Sequence, residues 1–164
     1  METISFMTPI GRLEIQGSAE RISGVRYLGA QKPAKSRRGN ALLAALKGDL
    51  IRYFNEGVYD FSRYQLDFGK AGGFEKGVWK KARTIAFGAV CSYSQLARQV
   101  GRPRAARAVG NALGKNPFLI VVPCHRIIRS DGTPGGFGPG PEKKWRLLAH
   151  EKGERVFKSL PGSK

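Results

Sequence analysis

The sequence contains few residues that could crosslink the chain or hold a metal. Only two cysteines and two histidines occur among its 164 residues, Cys91, Cys124, His125 and His150. This set forms neither a disulfide framework nor a tetrahedral zinc site, because no pair with ligand spacing has a second pair to match it. We therefore expect no metal, and free thiols of the kind found in a reducing compartment.

Long apolar runs are absent as well. No stretch approaches the roughly 18 apolar residues that a bilayer-spanning helix needs. The opening residues, METISFMTPIG, lack a basic region followed by an apolar stretch, so they do not resemble a signal peptide. The sequence predicts a cytoplasmic protein with no membrane partner, and we expect it to be a monomer.

Acidic side chains are scarce. The 29 lysines and arginines outnumber the 12 aspartates and glutamates, which gives a net charge of +17 and a pI near 10.5. This imbalance favours an anionic partner, of which nucleic acid is the commonest, although a ribosome-associated protein or a merely soluble basic surface has the same composition. Residues 1–70 carry a net charge of +4 and residues 71–164 carry +13. Any nucleic acid should therefore bind the C-terminal part.

The first 70 residues predict a small N-terminal α+β domain. Residues 4–28 alternate in polarity and contain turn residues, which indicates a hairpin or meander. The polar stretch 31–40 is typical of a mobile loop. Apolar residues at helical spacing predict an amphipathic helix over 41–54, and residues 58–68 predict a further strand.

Residues 71–164 predict a mainly helical domain, separated from the first by a glycine-rich linker. A helix is expected over 74–85. Two shorter helices, one beginning at Ser92 or Ser94 and one over 104–113, are joined by a turn that contains glycine and proline. This pattern describes a winged helix-turn-helix domain, so the fold class of the whole chain is α+β.

The remainder of this domain is less regular. The apolar run FLIVV, residues 118–122, predicts a buried strand or extended segment, and Pro123 would end its hydrogen-bonded ladder. Residues 130–142 are rich in glycine and proline and must form a loop. A last helix is expected from about Glu142 to His150.

The residues that carry chemistry are Pro123-Cys124-His125-Arg126. A thiol reacts as the thiolate, and a neighbouring imidazole or cation is the usual means of lowering its pKa. Adjacent residues of a strand point to opposite faces, so Cys124 and His125 can cooperate only if Pro123 turns the chain or a water bridges them. Taken alone, such a dipeptide more often describes an inert buried cysteine beside an unrelated histidine.

The surroundings of this motif resemble a known family. Residues 92–138, which include RAVGNALGKNP and PCHR, closely resemble the signature stretch of the O6-alkylguanine-DNA alkyltransferases, also called methylated-DNA–protein-cysteine methyltransferases. TPIGRLEIQG and LLAALKGDLIRYFNEGVYDF resemble the family's N-terminal hairpin and middle segment. The likeness covers nearly the whole chain.

The resemblance implies direct DNA repair. An alkyl group would move from O6-alkylguanine, and to a lesser extent O4-alkylthymine, to Cys124 without a cofactor, and the protein would be consumed. His125 would act through a water as the base, Glu151 would orient the imidazole, and Asn116 would connect the helix-turn-helix to the active-site segment. The implied partner is double-stranded DNA that contains alkylated bases.

The resemblance also implies that the second helix of the helix-turn-helix enters the minor groove, where small residues allow close approach. Arg107 would take the place of a flipped nucleotide in the base stack, and Tyr93 would help to rotate that nucleotide. Arg107 could instead be one more phosphate-binding arginine, and Tyr93 a core aromatic residue. The implied DNA-contacting residues are Tyr93, Arg104, Ala105, Ala106, Arg107 and Gly110.

The implied substrate pocket comprises Val122, Pro123, Phe137 and Gly138. Val122 and the backbone near Cys124 would accept hydrogen bonds from the guanine edge, and Phe137 would wall the base. Many relatives have a serine where this chain has Gly138, so the side-chain hydroxyl that could bond the O6 atom is missing here.

Three other functions are compatible with parts of the sequence. A non-catalytic protein that binds lesions and recruits repair factors would lack the acceptor cysteine, which is present here. A thiol hydrolase that uses Cys124 and His125 would leave the basic helix unexplained, and methyl transfer from S-adenosylmethionine would need a glycine-rich motif that is not seen. Cys91 is expected to have a packing role, and His150 a surface or packing role.

Overall fold

The computed structural model describes residues 1–32, 39–57 and 60–157. Three antiparallel strands, β1 (Glu2–Thr8), β2 (Gly11–Gly17) and β3 (Ile22–Tyr27), form a sheet in sequence order. Helix α1 (Ala41–Glu56) packs on β1 and β2. The predicted meander and helix are confirmed, and they bury an apolar face that comprises Leu13, Ile15, Ile22, Val25, Leu43, Leu46 and Leu50.

The ends of α1 follow from its flanking residues. Asn40 caps the helix by accepting a hydrogen bond from the Leu43 backbone nitrogen at 3.0 Å. Gly57 ends it in the left-handed conformation, with φ of 80°, and its N–H bonds the Tyr53 carbonyl. Of the loop predicted over 31–40, residues 33–38 lie outside the described residues.

A strand was predicted over 58–68, of which residues 58 and 59 lie outside the described residues. Over residues 60–68 the prediction is wrong. The chain forms turns, and Leu66 makes a single parallel bridge to Ile22. The Asp60 carboxylate accepts hydrogen bonds from the backbone nitrogen and the hydroxyl of Ser62. This side-chain turn draws the backbone away from an extended conformation.

The C-terminal half contains most of the helices. They are α2 (Gly73–Ala82), α3 (Tyr93–Gln99), α4 (Ala106–Gly114) and α5 (Pro141–Glu151). A two-residue strand β4 (Cys91–Ser92) pairs in parallel with β5 (Ile127–Ile128). Helices α3 and α4 form the predicted helix-turn-helix, and Ser92 caps α3 by accepting from the Gln95 backbone nitrogen at 3.0 Å.

Two predicted boundaries differ from the structure. Helix α2 ends at Ala82 and not at Ile85, because the hydrogen bonds tighten there: the Thr84 nitrogen bonds the Lys81 carbonyl at 3.0 Å and the Ile85 nitrogen bonds the Ala82 carbonyl at 3.1 Å. Helix α4 begins at Ala106, after a turn in which the Ala105 nitrogen bonds the Arg102 carbonyl at 2.8 Å. The division into two domains at residue 70 stays a prediction.

The apolar run 118–122 joins the two halves. It is extended at its start, where hydrogen bonds from Val25 to the Pro117 carbonyl and from Leu119 to the Val25 carbonyl attach it to β3. It then reverses at Ile120, whose φ is 69°, and the Val122 nitrogen bonds the Phe118 carbonyl. The run is therefore a buried extended segment that turns back, and not a regular strand.

None of the helices in the described part of the chain combines the length and the apolar character needed to cross a membrane.

Candidate active site

The segment before Cys124 is fixed by one side chain. The Asn116 amide oxygen accepts from the Phe118 nitrogen at 2.9 Å, and its amide nitrogen donates to the Val122 carbonyl at 3.0 Å. Pro123 follows, and residues Cys124–Arg126 form a single 3-10 turn. The extended run has already reversed at Ile120, so Pro123 is not the residue that ends it, and within the 3-10 turn Cys124 and His125 are not on opposite faces of a strand.

His125 is fully buried and paired with Glu151. Its Nε2 lies 2.6 Å from Glu151 Oε1, whereas its Nδ1 is buried and has no hydrogen-bond partner among the described residues. Burial lowers the pKa of His125 and outweighs the opposite effect of Glu151. We infer a neutral imidazole that donates through Nε2 and keeps a lone pair on Nδ1.

Glu151 accepts hydrogen bonds from several directions. Besides His125, Oε1 accepts from Tyr53 Oη at 2.7 Å and Arg126 Nη2 at 3.0 Å. Oε2 accepts from Arg126 Nε at 2.8 Å and from the Gly88 nitrogen at 3.2 Å. Burial alone would raise the pKa of Glu151, but His125 and Arg126 hold it below its usual range. The carboxylate is therefore ionised, and Arg126 supplies its countercharge.

Cys124 lies in a mixed environment. Burial raises the pKa of its thiol, and the Asn116 side chain, the Lys144 charge and the backbone N–H groups of Cys124 and His125 oppose that effect. Because burial prevails, most of the free protein carries a thiol at neutral pH. A base must therefore remove the proton before the sulfur can react.

A cavity of about 720 Å³ opens beside Cys124. Helix α4 forms one wall and the glycine-rich loop before α5 forms another. The volume lies in the range typical of small-molecule sites. Its lining residues are Tyr93, Ala106, Arg107, Gly110, Asn111, Leu113, Gly114, Cys124, Arg129, Gly135, Gly136, Phe137 and Gly138.

Tyr93 fills the space between α4 and the glycine-rich loop. A Cβ atom built on Gly110 would lie 3.6 Å from the Tyr93 ring, and one built on Gly135 would lie 2.6 Å from Tyr93 Oη. Glycine at 135, which also has a left-handed φ of 72°, is thus required for the loop to approach this ring.

Lys144 bonds the same loop from helix α5. It is fully buried, and its Nζ lies 2.5 Å from the Ile127 carbonyl, 3.2 Å from the Gly136 carbonyl and 3.4 Å from Tyr93 Oη. Burial lowers the pKa of Lys144 to about 8. The lysine is therefore a hydrogen-bond donor that connects Tyr93 with the loop.

The structure brings most of the predicted DNA and pocket residues to this cavity. Its lining contains Tyr93, Ala106, Arg107, Gly110, Phe137 and Gly138. Arg104 is exposed next to the cavity-facing helix, and Ala105 precedes that helix. Val122 and Pro123 are buried and do not line it, and the Val122 carbonyl is already bonded to Asn116.

Cys91, expected to pack, and His150, expected either at the surface or in packing, are both buried. His150 is buried, donates from Nε2 to the Tyr53 carbonyl at 2.7 Å, and contacts the rings of Phe54 and Phe157. Cys91 is buried in β4. Within residues 1–32, 39–57 and 60–157, no three side chains of His, Cys, Asp or Glu are grouped so that they could hold a metal.

Sequence reasoning missed two residues of this site, Tyr53 and Lys144, and named Arg126 in the motif without giving it a role. Arg126 had a usable signal, because a charged residue within the apolar run VVPCHRII must have a buried partner. Tyr53 and Lys144 had none, because each lies on an ordinary amphipathic helix.

Comparison with known proteins identifies close relatives. The family described as 6-O-methylguanine DNA methyltransferase, DNA binding domain, matches residues 73–153. A methylated-DNA–protein-cysteine methyltransferase of Haemophilus influenzae is 36% identical over 97% of this chain and 90% of its own length. The Homo sapiens protein of that name is 34% identical over 99% of this chain and 86% of its own length.

A solved structure agrees with these matches. The crystal structure of Mycobacterium tuberculosis OGT in complex with DNA superposes with a TM-score of 0.82 at 35% sequence identity. The match covers 93% of this chain and 94% of that one.

Proposed function

Because the chain belongs to the methylated-DNA–protein-cysteine methyltransferase family, we propose that Cys124 accepts the alkyl group that this family removes from DNA. The chain acts in DNA repair, by irreversible transfer of an alkyl group from O6-alkylguanine to its own cysteine. One observation carries the assignment to Cys124: it lines the cavity and adjoins the buried His125–Glu151 pair. Cys91, the other cysteine, is buried in β4 and does not line the cavity.

The side chains support a simple proton path. His125 takes the Cys124 proton on Nδ1 through one water molecule, and ionised Glu151 stabilises the resulting imidazolium. The thiolate attacks the alkyl carbon, so the S–C bond forms as the C–O6 bond breaks, and the electron pair stays with the guanine. The guanine then takes up one proton, which balances the proton lost by the thiol. A thioether is a poor leaving group, so the protein works once.

Access to Cys124 requires that the target base leave the duplex, because a stacked guanine cannot enter the cavity. Small residues on α4, among them Ala106 and Gly110, suit close approach to the minor groove. Arg107 is exposed at the cavity rim and would occupy the gap left by the flipped nucleotide. Tyr93 would help to rotate that nucleotide, and Phe137 would wall the base.

The pocket geometry bears on recognition of the base. Val122 does not line the cavity and its carbonyl is bonded to Asn116, so the backbone next to Cys124 is the acceptor that would bond the guanine edge. Gly138 offers no hydroxyl to the O6 atom, and its backbone amide is the donor that would take this place.

The partner of the chain is DNA. We propose that it binds duplex DNA containing alkylated bases as a monomer, through the basic C-terminal half. Location in the cytoplasm stays a prediction from the sequence.

Intact mass tests the assignment of the acceptor. Wild-type protein, Cys124→Ala and the matched control Cys91→Ala are each incubated with excess duplex that carries one O6-methylguanine. We expect a single added methyl group on the wild type and on Cys91→Ala, and none on Cys124→Ala. Methylation of Cys124→Ala would refute the assignment, and tight lesion binding by the wild type without added mass would favour a recruiting function.

A second experiment tests extrusion of the base. Arg107→Ala should slow methyl transfer from duplex DNA strongly, while Arg104→Ala should weaken binding of any duplex and reduce its salt dependence by about one counterion. If Arg107→Ala behaves like Arg104→Ala, Arg107 is only a phosphate contact.

A further inference from the structure

Helix α1 contributes a side chain to the active-site hydrogen-bond network. Tyr53 is fully buried, and its Oη lies 2.7 Å from Glu151 Oε1, the same oxygen that receives His125 Nε2 at 2.6 Å. The two residues of this contact are 98 positions apart in the sequence. The hydroxyl of one tyrosine and the imidazole of the candidate base therefore share one carboxylate oxygen.

Tyr53 contacts the end of α5 at a second point. Its backbone carbonyl accepts from His150 Nε2 at 2.7 Å, while its side chain bonds the next residue, Glu151. The ring is held by edge contacts with Phe54 at 5.2 Å and Phe87 at 5.9 Å between centroids. The hydroxyl therefore has a fixed position.

The direction of this hydrogen bond is also fixed. Burial, followed by the charge of Glu151, raises the pKa of Tyr53 well above its ordinary value. The phenol stays protonated and donates, and the ionised carboxylate accepts.

We propose that Tyr53 is a positioning residue for alkyl transfer: by holding Glu151 it orients the His125 imidazole that activates Cys124. The inference rests on the proposed proton path. It gives the N-terminal half a part in positioning the active site, because the carboxylate that orients His125 is held from α1 as well as from Arg126.

The chain offers a matched control. Tyr64 is another buried tyrosine whose hydroxyl bonds a buried carboxylate, that of Asp49, within the N-terminal half. Tyr53→Phe and Tyr64→Phe each remove one such hydroxyl and keep the ring. Similar losses of melting temperature are expected, and both variants should fold, because the aromatic packing is retained.

The decisive measurement is the single-turnover rate of methyl transfer at saturating O6-methylguanine duplex. Tyr53→Phe should lower this rate by about fivefold or more without changing DNA affinity, while Tyr64→Phe should stay within about twofold of the wild type. Equal rates for the two variants would overturn the proposal.

The pH profile gives a readout that a purely structural role leaves unchanged. Without the hydroxyl, Oε1 keeps more of its negative charge for His125, whose imidazole then holds its proton to higher pH. The acid-side midpoint of the transfer rate should therefore move up in Tyr53→Phe and stay in place in Tyr64→Phe. An unmoved midpoint in Tyr53→Phe contradicts the proposal.

Glu151→Gln tests the proton path separately from the role of Tyr53. If this variant reacts at the wild-type rate, the proton path itself is wrong. If it reacts slowly while Tyr53→Phe reacts normally, the proton path stands and only the role of Tyr53 fails.

Discussion

Arg126 holds Glu151 by a two-point ion pair inside the protein. Its Nε donates to Oε2 at 2.8 Å and its Nη2 to Oε1 at 3.0 Å, while Nη1 donates to the Ile85 carbonyl at 2.7 Å. The exposed fraction of the side chain is 7% for Arg126 and 1% for Glu151. This planar donor arrangement matches a carboxylate in a way that a lysine cannot reproduce.

Removal of Arg126 should therefore destabilise the protein strongly. Arg126→Met leaves the Glu151 charge buried with no cation bonded to it, and we expect a loss of about 3 to 5 kcal/mol in the free energy of unfolding at pH 7. Urea unfolding measures this loss. Arg52→Ala, which breaks the exposed pair with Glu56, is the control and should change stability little. A small loss in Arg126→Met would mean that Glu151 is protonated in the folded protein.

Stability should fall on the acid side of neutrality. The folded pKa of His125 is lowered by burial, so the unfolded chain takes up a proton near pH 6.5 that the folded chain does not. The folded pKa of Glu151 is also below its usual range, so its stabilising effect is present above about pH 4.3 and lost as the pH falls further.

Urea unfolding at a series of pH values tests these signs. The free energy of unfolding should decrease below about pH 6.5 and decrease again below about pH 4.3. His125→Asn should remove the first decrease and keep the second. A wild-type protein equally stable at pH 7 and at pH 5 would contradict the neutral state of His125.

Gly135 and Gly136 provide a comparison within one loop. A Cβ on Gly135 would come within 2.6 Å of Tyr93 Oη at a left-handed φ, whereas one on Gly136 meets no atom within 4 Å. Gly135→Ala should therefore displace Tyr93 and slow methyl transfer by about tenfold or more, while Gly136→Ala should react normally. Similar rates for the two variants would show that contact between the loop and Tyr93 does not matter for transfer.

The absence of a hydroxyl at Gly138 can be tested by adding one. A Cβ there has no neighbour within 4 Å, so Gly138→Ser should fold normally. If its hydroxyl donates to the departing O6 atom, single-turnover transfer should accelerate by up to about tenfold. Gly138→Ala adds the carbon without the donor and is the control. A serine variant no faster than the alanine variant would show that the backbone already supplies this hydrogen bond.

Alkylation of Cys124 should destabilise the protein. A methyl group on the sulfur must fit beside the groups that contact the thiol, including the Asn116 side chain and the backbone of His125. We expect the methylated protein to melt a few degrees below the free protein, as measured by calorimetry side by side. Equal melting temperatures would mean that the cavity accommodates the methyl group without strain.

Apolar spacing predicted the meander, α1 and α2, because each buries one face that this spacing defines. Capping and turn residues predicted the helix-turn-helix and α5. The predicted strand over 58–68 was wrong where it can be compared, because the Asp60 side chain competes for the backbone nitrogen of Ser62. The spacing of apolar residues gives no indication of such side-chain hydrogen bonds to the backbone.

The site was predictable only in part. Cys124, His125 and Glu151 were found through a resemblance, and the structure places His125 against Glu151. The contact of Tyr53 with Glu151 joins residues 98 positions apart, and Lys144 bonds carbonyls of two other segments. Pairings of this kind arise from tertiary packing, which a single sequence does not encode in any local pattern.

The conformation of Ile120 makes the active-site loop sensitive to substitutions in the core. A branched side chain at φ of 69° is locally unfavourable, and it persists because Phe118 and Val25, both fully packed, fasten the run on which it lies. The loop that presents the reactive sulfur thus takes its shape from its attachment to the core as well as from Asn116. Val25→Ala keeps the two backbone hydrogen bonds to this run but removes buried side-chain packing beside it, so it should loosen that loop and lower repair in cells that still contain folded protein.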